Sequence, residues 1–144
     1  MTAVLATPER TLILAPRGRD SQIALMMLNE AGFHGVISQD LPGLCAELEL
    51  GAGLLLISSE ALLGRDLEPL IRLIEQQPAW SDLPIVLMTH HGGPQQNPAS
   101  RFGPQLGNVT FLERPFHPIT LISLVTTALR GRRRQYEALS LIHI

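Results

Sequence analysis

The chain alternates short apolar runs with longer segments whose apolar residues recur at helical spacing. Thr11 to Ala15 (Thr-Leu-Ile-Leu-Ala) is an unbroken apolar run stopped by Pro16, which reads as a first strand buried on both faces. Arg17-Gly18-Arg19-Asp20 makes a turn, and Asp20 is expected to cap a first helix that ends at Gly32. Ile23, Met26, Met27 and Leu28 supply its apolar side, the methionines reading as core filler. His34 to Ser38 is a weaker second strand, and Leu41 to Leu50 a second helix with Leu44, Cys45 and Leu48 inward and Gly51 closing it. Gly53 to Ser58 (Gly-Leu-Leu-Leu-Ile-Ser) is the most continuously apolar run, which puts it at the sheet centre with helices on both faces. Asp66 to Gln77 forms a third helix, with Leu67, Leu70, Ile71 and Ile74 at helical spacing and Pro78 ending it. Leu83 to Thr89 is the fourth strand, Pro84 being tolerated at its start.

One region breaks this rhythm. From His90 to Gly107 the chain is rich in Gly, Pro, Asn and Gln, and only Pro98 to Leu106 suits a helix, interrupted at Gly103-Pro104; the fourth helix is expected to be short or irregular. After Asn108, Val109 to Leu112 have strand preferences, Arg114-Pro115 ends the ladder, and Pro118 to Arg130 is a fifth helix carrying Leu121, Ile122, Leu124, Val125 and Leu129. Strict alternation of strands and helices predicts an α/β protein: a doubly wound, five-stranded parallel sheet of the flavodoxin-like kind, with right-handed crossovers and strand order 2-1-3-4-5. Ligands of such sheets lie beyond the carboxyl ends of the strands, where strand order switches. The residues there are Ala15, Pro16 and Arg17, Ser58 to Glu60, Thr89, and Arg114.

Composition narrows the classes. A length of 144 residues suits one domain with a sizeable core, preceded by a loose arm over residues 1–10. A net charge of −2 argues against a nucleic-acid binder, although Arg130, Arg132, Arg133 and Arg134 cluster near one end without interleaved aromatics. All eleven basic residues are arginine, so an arginine at any one position is weak evidence of chemistry. Cys45 is the sole cysteine, which excludes an intramolecular disulfide and a cysteine zinc site and fits a reducing cytoplasm. Met1 to Arg10 lack a basic region followed by an apolar run, and no window approaches the ~20 apolar residues that span a bilayer.

Two corners of this plan carry a family resemblance. Thr89 closing Leu-Pro-Ile-Val-Leu-Met-Thr, and Arg114-Pro115-Phe116 after the fifth strand, resemble the receiver domain of two-component response regulators over about residues 10–130. The resemblance implies that Thr89 stands at the position that senses a phosphoryl group, Arg114-Pro115 at the family's Lys-Pro, and Phe111 at its aromatic switch. It also implies acidic residues after the first strand to hold Mg²⁺ and an aspartate closing the third to accept phosphate. Those positions carry Ala15, Pro16 and Ser58. None offers the carboxylate that a hard cation and an acyl phosphate require, so this degenerate site is expected to bind no metal or cofactor and to catalyse nothing. Glu60 reads as a loop residue and Asp20 as a helix cap, which leaves Arg114 facing a hydroxyl or water.

The expected product is a pseudo-receiver that signals by contact with a histidine kinase or another signalling protein. Gly131 costs only ~1 kcal/mol inside a helix, so the fifth helix is expected to continue over residues 131–144 as an extension or linker, the alternative being a helix that ends at Gly131 before a solvated basic tail. Ile122, Val125, Leu129, Tyr136 and Leu139 lie near a 3-4 spacing interrupted by Arg132, similar to helices that join receivers to kinase dimerisation helices. A homodimer through this helix is expected, with Phe116, Leu121, Tyr136 and Leu139 as interface candidates. His90 and His91 diverge on a loop and suit no metal site, and Ser58 lacks the Gly-x-Ser-x-Gly turn of a nucleophile. A different class stays open: Arg17, Arg19 and Arg114 near the strand ends suit an anion- or nucleotide-sensing domain, although Gly18 stands alone without a dinucleotide fingerprint.

Overall fold

Five parallel strands form a single sheet in the order β2-β1-β3-β4-β5: β1 (Thr11–Leu14), β2 (Gly35–Ile37), β3 (Leu54–Ser58), β4 (Ile85–Thr89) and β5 (Val109–Glu113). The structure, a computed structural model, describes residues 9–76, 82–89 and 106–142, with side chains through Gln135. The order and the parallel pairing are those expected from the alternation of apolar runs. The register brings Leu14 beside Ile57, Ser58 beside Met88, and Thr89 beside Glu113, so the carboxyl ends of β1, β3, β4 and β5 share one edge. The expected irregular helix over Pro98 to Leu106, the histidines 90 and 91, and the third-helix stop at Pro78 lie outside the described residues, apart from buried Leu106.

The strands read as apolar on both sides because both sides are covered. Alternate residues face opposite ways. Leu12, Leu14, Leu55, Ile57, Ile85 and Leu87 pack beneath α2 (Leu41–Glu49) and α3 (Glu68–Glu75), against Leu44 and Leu70. Ile13, Leu54, Leu56, Val86 and Met88 pack beneath α1 (Asp20–Glu30) and the C-terminal helix α4 (Pro118–Ile142), against Ala24, Leu28, Leu121 and Val125. The third strand is fully buried along its length, as a central strand must be.

Local chemistry sets the helix ends. Asp40 caps α2 by accepting a 2.8 Å hydrogen bond from the Gly43 amide, and Pro42 sits in the first turn, where its missing N–H costs nothing. Gly32 after α1 and Gly51 after α2 take positive φ of 88° and 107°, the left-handed region that lets each chain turn back toward the sheet. At α4, Pro118 occupies the first position and the His117 Nδ1 accepts from the Ile119 amide at 3.1 Å. Within the expected loose arm, residues 1–8 lie outside the described set. Arg10 is anchored, donating to the Gly51 carbonyl, the Glu47 carbonyl and the Glu47 carboxylate at 2.8–3.1 Å.

Two expectations about packing need correction. Ile23 and Met26 were expected inside α1, yet they are 41% and 53% exposed, and the inward positions belong to Ser21, Ala24 and Leu28. Ile23, Met26 and Met27 instead line an apolar groove of about 600 Å³ with Ile119 and Ile122 of α4. The second correction concerns Leu121, expected at a partner interface: it is fully buried in the core beneath α4 and has no surface to offer.

Helix α4 continues through Gly131 as a single 25-residue helix. Its extension is held to the body as far as Gln135. The Asp82 amide donates to the Gln135 Oε1 at 3.3 Å, Arg132 Nη1 donates to the same oxygen at 3.3 Å, and Arg133 pairs with Glu9 at 2.6 Å. Arg132, which breaks the apolar spacing in the sequence, is 7% exposed. The arginine cluster is therefore only partly presented to solvent.

Candidate functional site

The strand ends converge on Arg114. The register of β4 with β5 carries the chain past Glu113, and the Arg114 amide donates to the Thr89 carbonyl at 2.9 Å, extending the ladder by one bond before the cis Arg114-Pro115 peptide turns it away. From there the side chain runs inward, 19% exposed, across the ends of β1 and β3.

Its guanidinium meets two carboxylates. Nη1 pairs with Asp20 Oδ2 at 2.7 Å and Nη2 with Glu60 Oε2, while Nε lies 3.4 Å from the Thr89 carbonyl. Asp20 is the first residue of α1, which follows β1 across a short loop, and Glu60 comes from the 3-10 turn Ser59–Leu62 that follows β3 directly. The fork of a guanidinium suits this task, since it directs separate N–H groups at separate acceptors where an ammonium would offer a single point of charge. Glu60 is the more enclosed partner, with a side chain 7% exposed against 37% for Asp20.

This arrangement overturns the expectation that Arg114 faces a hydroxyl or water. It also changes the reading of both acids. Asp20 is the first residue of α1 and not its cap: the cap position is Arg19, and no side chain bonds there. Ser21 fastens the helix start instead, its Oγ donating to the Ala15 carbonyl at 2.7 Å. Glu60 is an ion-pair partner placed by a helical turn that hydrophobic periodicity does not announce. The available signal was the position of Glu60 two residues beyond a fully buried strand, on the same edge as Arg114.

The remaining residues fall around this cluster. Ala15 is buried at the end of β1, and Pro16 and Arg17 are exposed beyond it. Thr89 is 6% exposed and contributes its carbonyl to Arg114, whereas Phe111 is 49% exposed on β5 and Phe116 is half-buried against the α4 side of the core. Tyr136 and Leu139 lie beyond the described side chains. Arg17 and Arg19 are exposed. Cys45 is remote, between α2 and α3, where burial first and the Glu49 carboxylate second raise its pKa above the ordinary thiol value.

Ser58 is 1% exposed and its Oγ has no hydrogen-bond partner among the described residues. A buried hydroxyl without a partner costs free energy, so Ser58→Ala is expected to raise the unfolding free energy by about 1 kcal/mol. Urea denaturation checks this, and a loss of stability would mean that the hydroxyl is satisfied in the folded protein.

The donor set at this edge does not suit Mg²⁺, the ion that the family resemblance implies. Ala15 and Pro16 supply no side-chain oxygen, and the carboxylates of Asp20 and Glu60 are already neutralised in part by Arg114. Among the described residues, no group of three or more His, Cys, Asp or Glu side chains is placed to hold a metal ion.

The sequence matches no protein-family model and no curated protein. The fold, in contrast, has many counterparts among solved structures. A CheY-like response regulator receiver domain protein from Methanospirillum hungatei superposes with a TM-score of 0.71 at 16% identity, covering 88% of this chain and 98% of that one. The chemotaxis protein CheY4 of Vibrio cholerae gives 0.68 at 18% identity, covering 84% and 98%. Full-length FixJ from B. japonicum gives 0.68 at 23% identity, covering 88% of this chain and 60% of FixJ. The chain has the fold of CheY-like response-regulator receiver domains.

Proposed function

We propose that this chain is a receiver-like signalling module that takes up no phosphoryl group and acts through protein contacts. The observation that carries the reading is the composition of the strand-end site: Ala15, Pro16 and Ser58 stand where an acyl-phosphate site needs carboxylates, and Arg114 is engaged by Asp20 and Glu60. A serine hydroxyl does not form an acyl phosphate, and a guanidinium already bridging two carboxylates has little charge to offer an incoming phosphate. Incubation with Mg²⁺ and a small phosphodonor such as acetyl phosphate is expected to leave the intact mass unchanged. A phosphoryl adduct labile to hydroxylamine would defeat the proposal.

An anion- or nucleotide-sensing role is the less favoured reading. Of the three arginines it invoked, Arg114 is neutralised and Arg17 and Arg19 point into solvent from an exposed loop. The net charge of Arg114 with its two partners is negative, which repels phosphate.

The contact mode centres on α4. A histidine kinase or another signalling protein is the partner class this fold suggests, in the cytoplasm, with no role for DNA. No helix among the described residues is long and apolar enough to cross a membrane. We place homodimerisation on the far part of α4, with half-buried Phe116 as a possible rim residue and Leu121 excluded by its burial. Removing residues 136–144 spares the Gln135 and Arg133 contacts and is expected to convert a dimer into a monomer in light scattering. A monomer before and after truncation would defeat the dimer.

A further inference from the structure

We propose that the Arg114 guanidinium is a built-in cation, taking the place between Asp20 and Glu60 that a divalent ion would otherwise occupy, so that the loops after β1, β3 and β5 hold one arrangement without any bound ion. Three observations support this. The guanidinium is the shared partner of two carboxylates that come from different elements, the start of α1 and the 3-10 turn after β3, one through each terminal nitrogen. The same residue is tied by its backbone amide and by Nε to the Thr89 carbonyl, which fixes the cation to the end of β4 as well. The carboxylates lie at the edge of the sheet where strand order switches, β1 beside β3, which is where α/β sheets bind their ligands.

The physical argument is one of charge. Two carboxylates brought together at a partly enclosed edge repel each other unless a cation lies between them. A tethered guanidinium serves at every ion concentration, because its effective concentration is set by the chain and not by the solution. A free divalent ion would serve only above its dissociation constant, and it would couple loop geometry to ion binding. The chain has thus exchanged an ion-responsive edge for a permanently closed one. This inference concerns cation occupancy and stands apart from the phosphate reading: an acyl phosphate would sink the latter, whereas the cation experiment reads the edge directly.

The test removes the guanidinium and keeps the carboxylates. In Arg114→Met the aliphatic stem remains and the charge is lost. Thermal unfolding is followed in about 10 mM MgCl₂ or CaCl₂ and in NaCl of matched ionic strength, a range that covers weak carboxylate sites. Wild-type Tm is expected to be the same in all three solutions. The variant is expected to melt lower in NaCl and to regain about 3 °C or more in a saturable response to the divalent ion. In the triple variant Arg114→Met, Asp20→Asn, Glu60→Gln that response should vanish. Arg114→Gln, which keeps a hydrogen-bond donor, serves as a second neutral variant if the methionine form does not fold, with the same expected outcome. A saturable divalent-ion response in the wild type, or none in either neutral variant, would overturn the proposal.

Discussion

Arg114→Ala is expected to lower the unfolding free energy by about 2–4 kcal/mol, somewhat below the ~3–5 kcal/mol for removing one member of a fully buried pair because Asp20 is 37% exposed. The loss comes less from the attraction that disappears than from what remains. Glu60, with only 7% of its side chain exposed, loses the guanidinium that Arg114 supplies, at a place where water screens its charge little. Asp20 is 37% exposed and water screens it well, so its share is the smaller one. Chemical denaturation in the absence of divalent ions measures the total, and a cycle through Glu60→Gln apportions it. Glu60→Gln in the Arg114→Ala background should recover part of the loss, because it removes a carboxylate charge from a poorly hydrated place. A loss no larger than that of an exposed surface pair would show that the cluster is hydrated and contributes little.

The second large effect is expected in the sheet. Leu56→Ala in β3 should cost about 3–5 kcal/mol, the transfer free energy of the removed atoms plus a cavity that the surroundings fill only in part. Leu56 is fully buried and belongs to the core layer shared with Leu28 of α1 and Leu121 and Val125 of α4. Strands β1 and β4 hold it on both sides, paired at Ile13 and Val86, which limits collapse around the cavity. The same layer underlies the strand-end edge, so the variant is also expected to loosen Arg114 and its partners. Urea unfolding gives the magnitude, and hydrogen exchange at the Arg114 amide reports the loosening. A cost under 1 kcal/mol would mean that the two layers repack freely.

These two expectations rest on different kinds of information, and they divide along the line between sequence and structure. The core was legible because burial on both faces leaves a strong mark: Leu54 to Ile57 have no polar alternation, and a strand of that kind must lie between helix layers. Strand order followed from right-handed crossovers in an alternating chain. The extension of α4 past Gly131 was legible too, since one glycine is a small penalty against a helix-permissive flank.

The side-chain partners of Arg114 were not legible. Glu60 and Asp20 are separated from it by 54 and 94 positions, and no spacing rule connects them. Each had a sufficient local explanation, as a loop acid or a helix cap, and local explanations compete successfully when the long-range partner is unknown. Ile23 and Met26 misled in the opposite way. Their hydrophobicity predicted burial, but the inward positions of α1 fall to Ser21, Ala24 and Leu28, and Ile23 and Met26 turn to the groove beside α4.

By itself, then, the sequence determined the alternation of elements, the sheet they build, and the absence of acids at Ala15, Pro16 and Ser58, because these depend on residue type and short-range pattern. Only the tertiary structure decided what the arginine at the end of β5 does, because charge pairing depends on distances through space that arise after the strands have aligned their ends. The corner at Arg114-Pro115 ends the fifth strand, as its sequence indicates, and places a cation among acids that the folded sheet alone brings within reach.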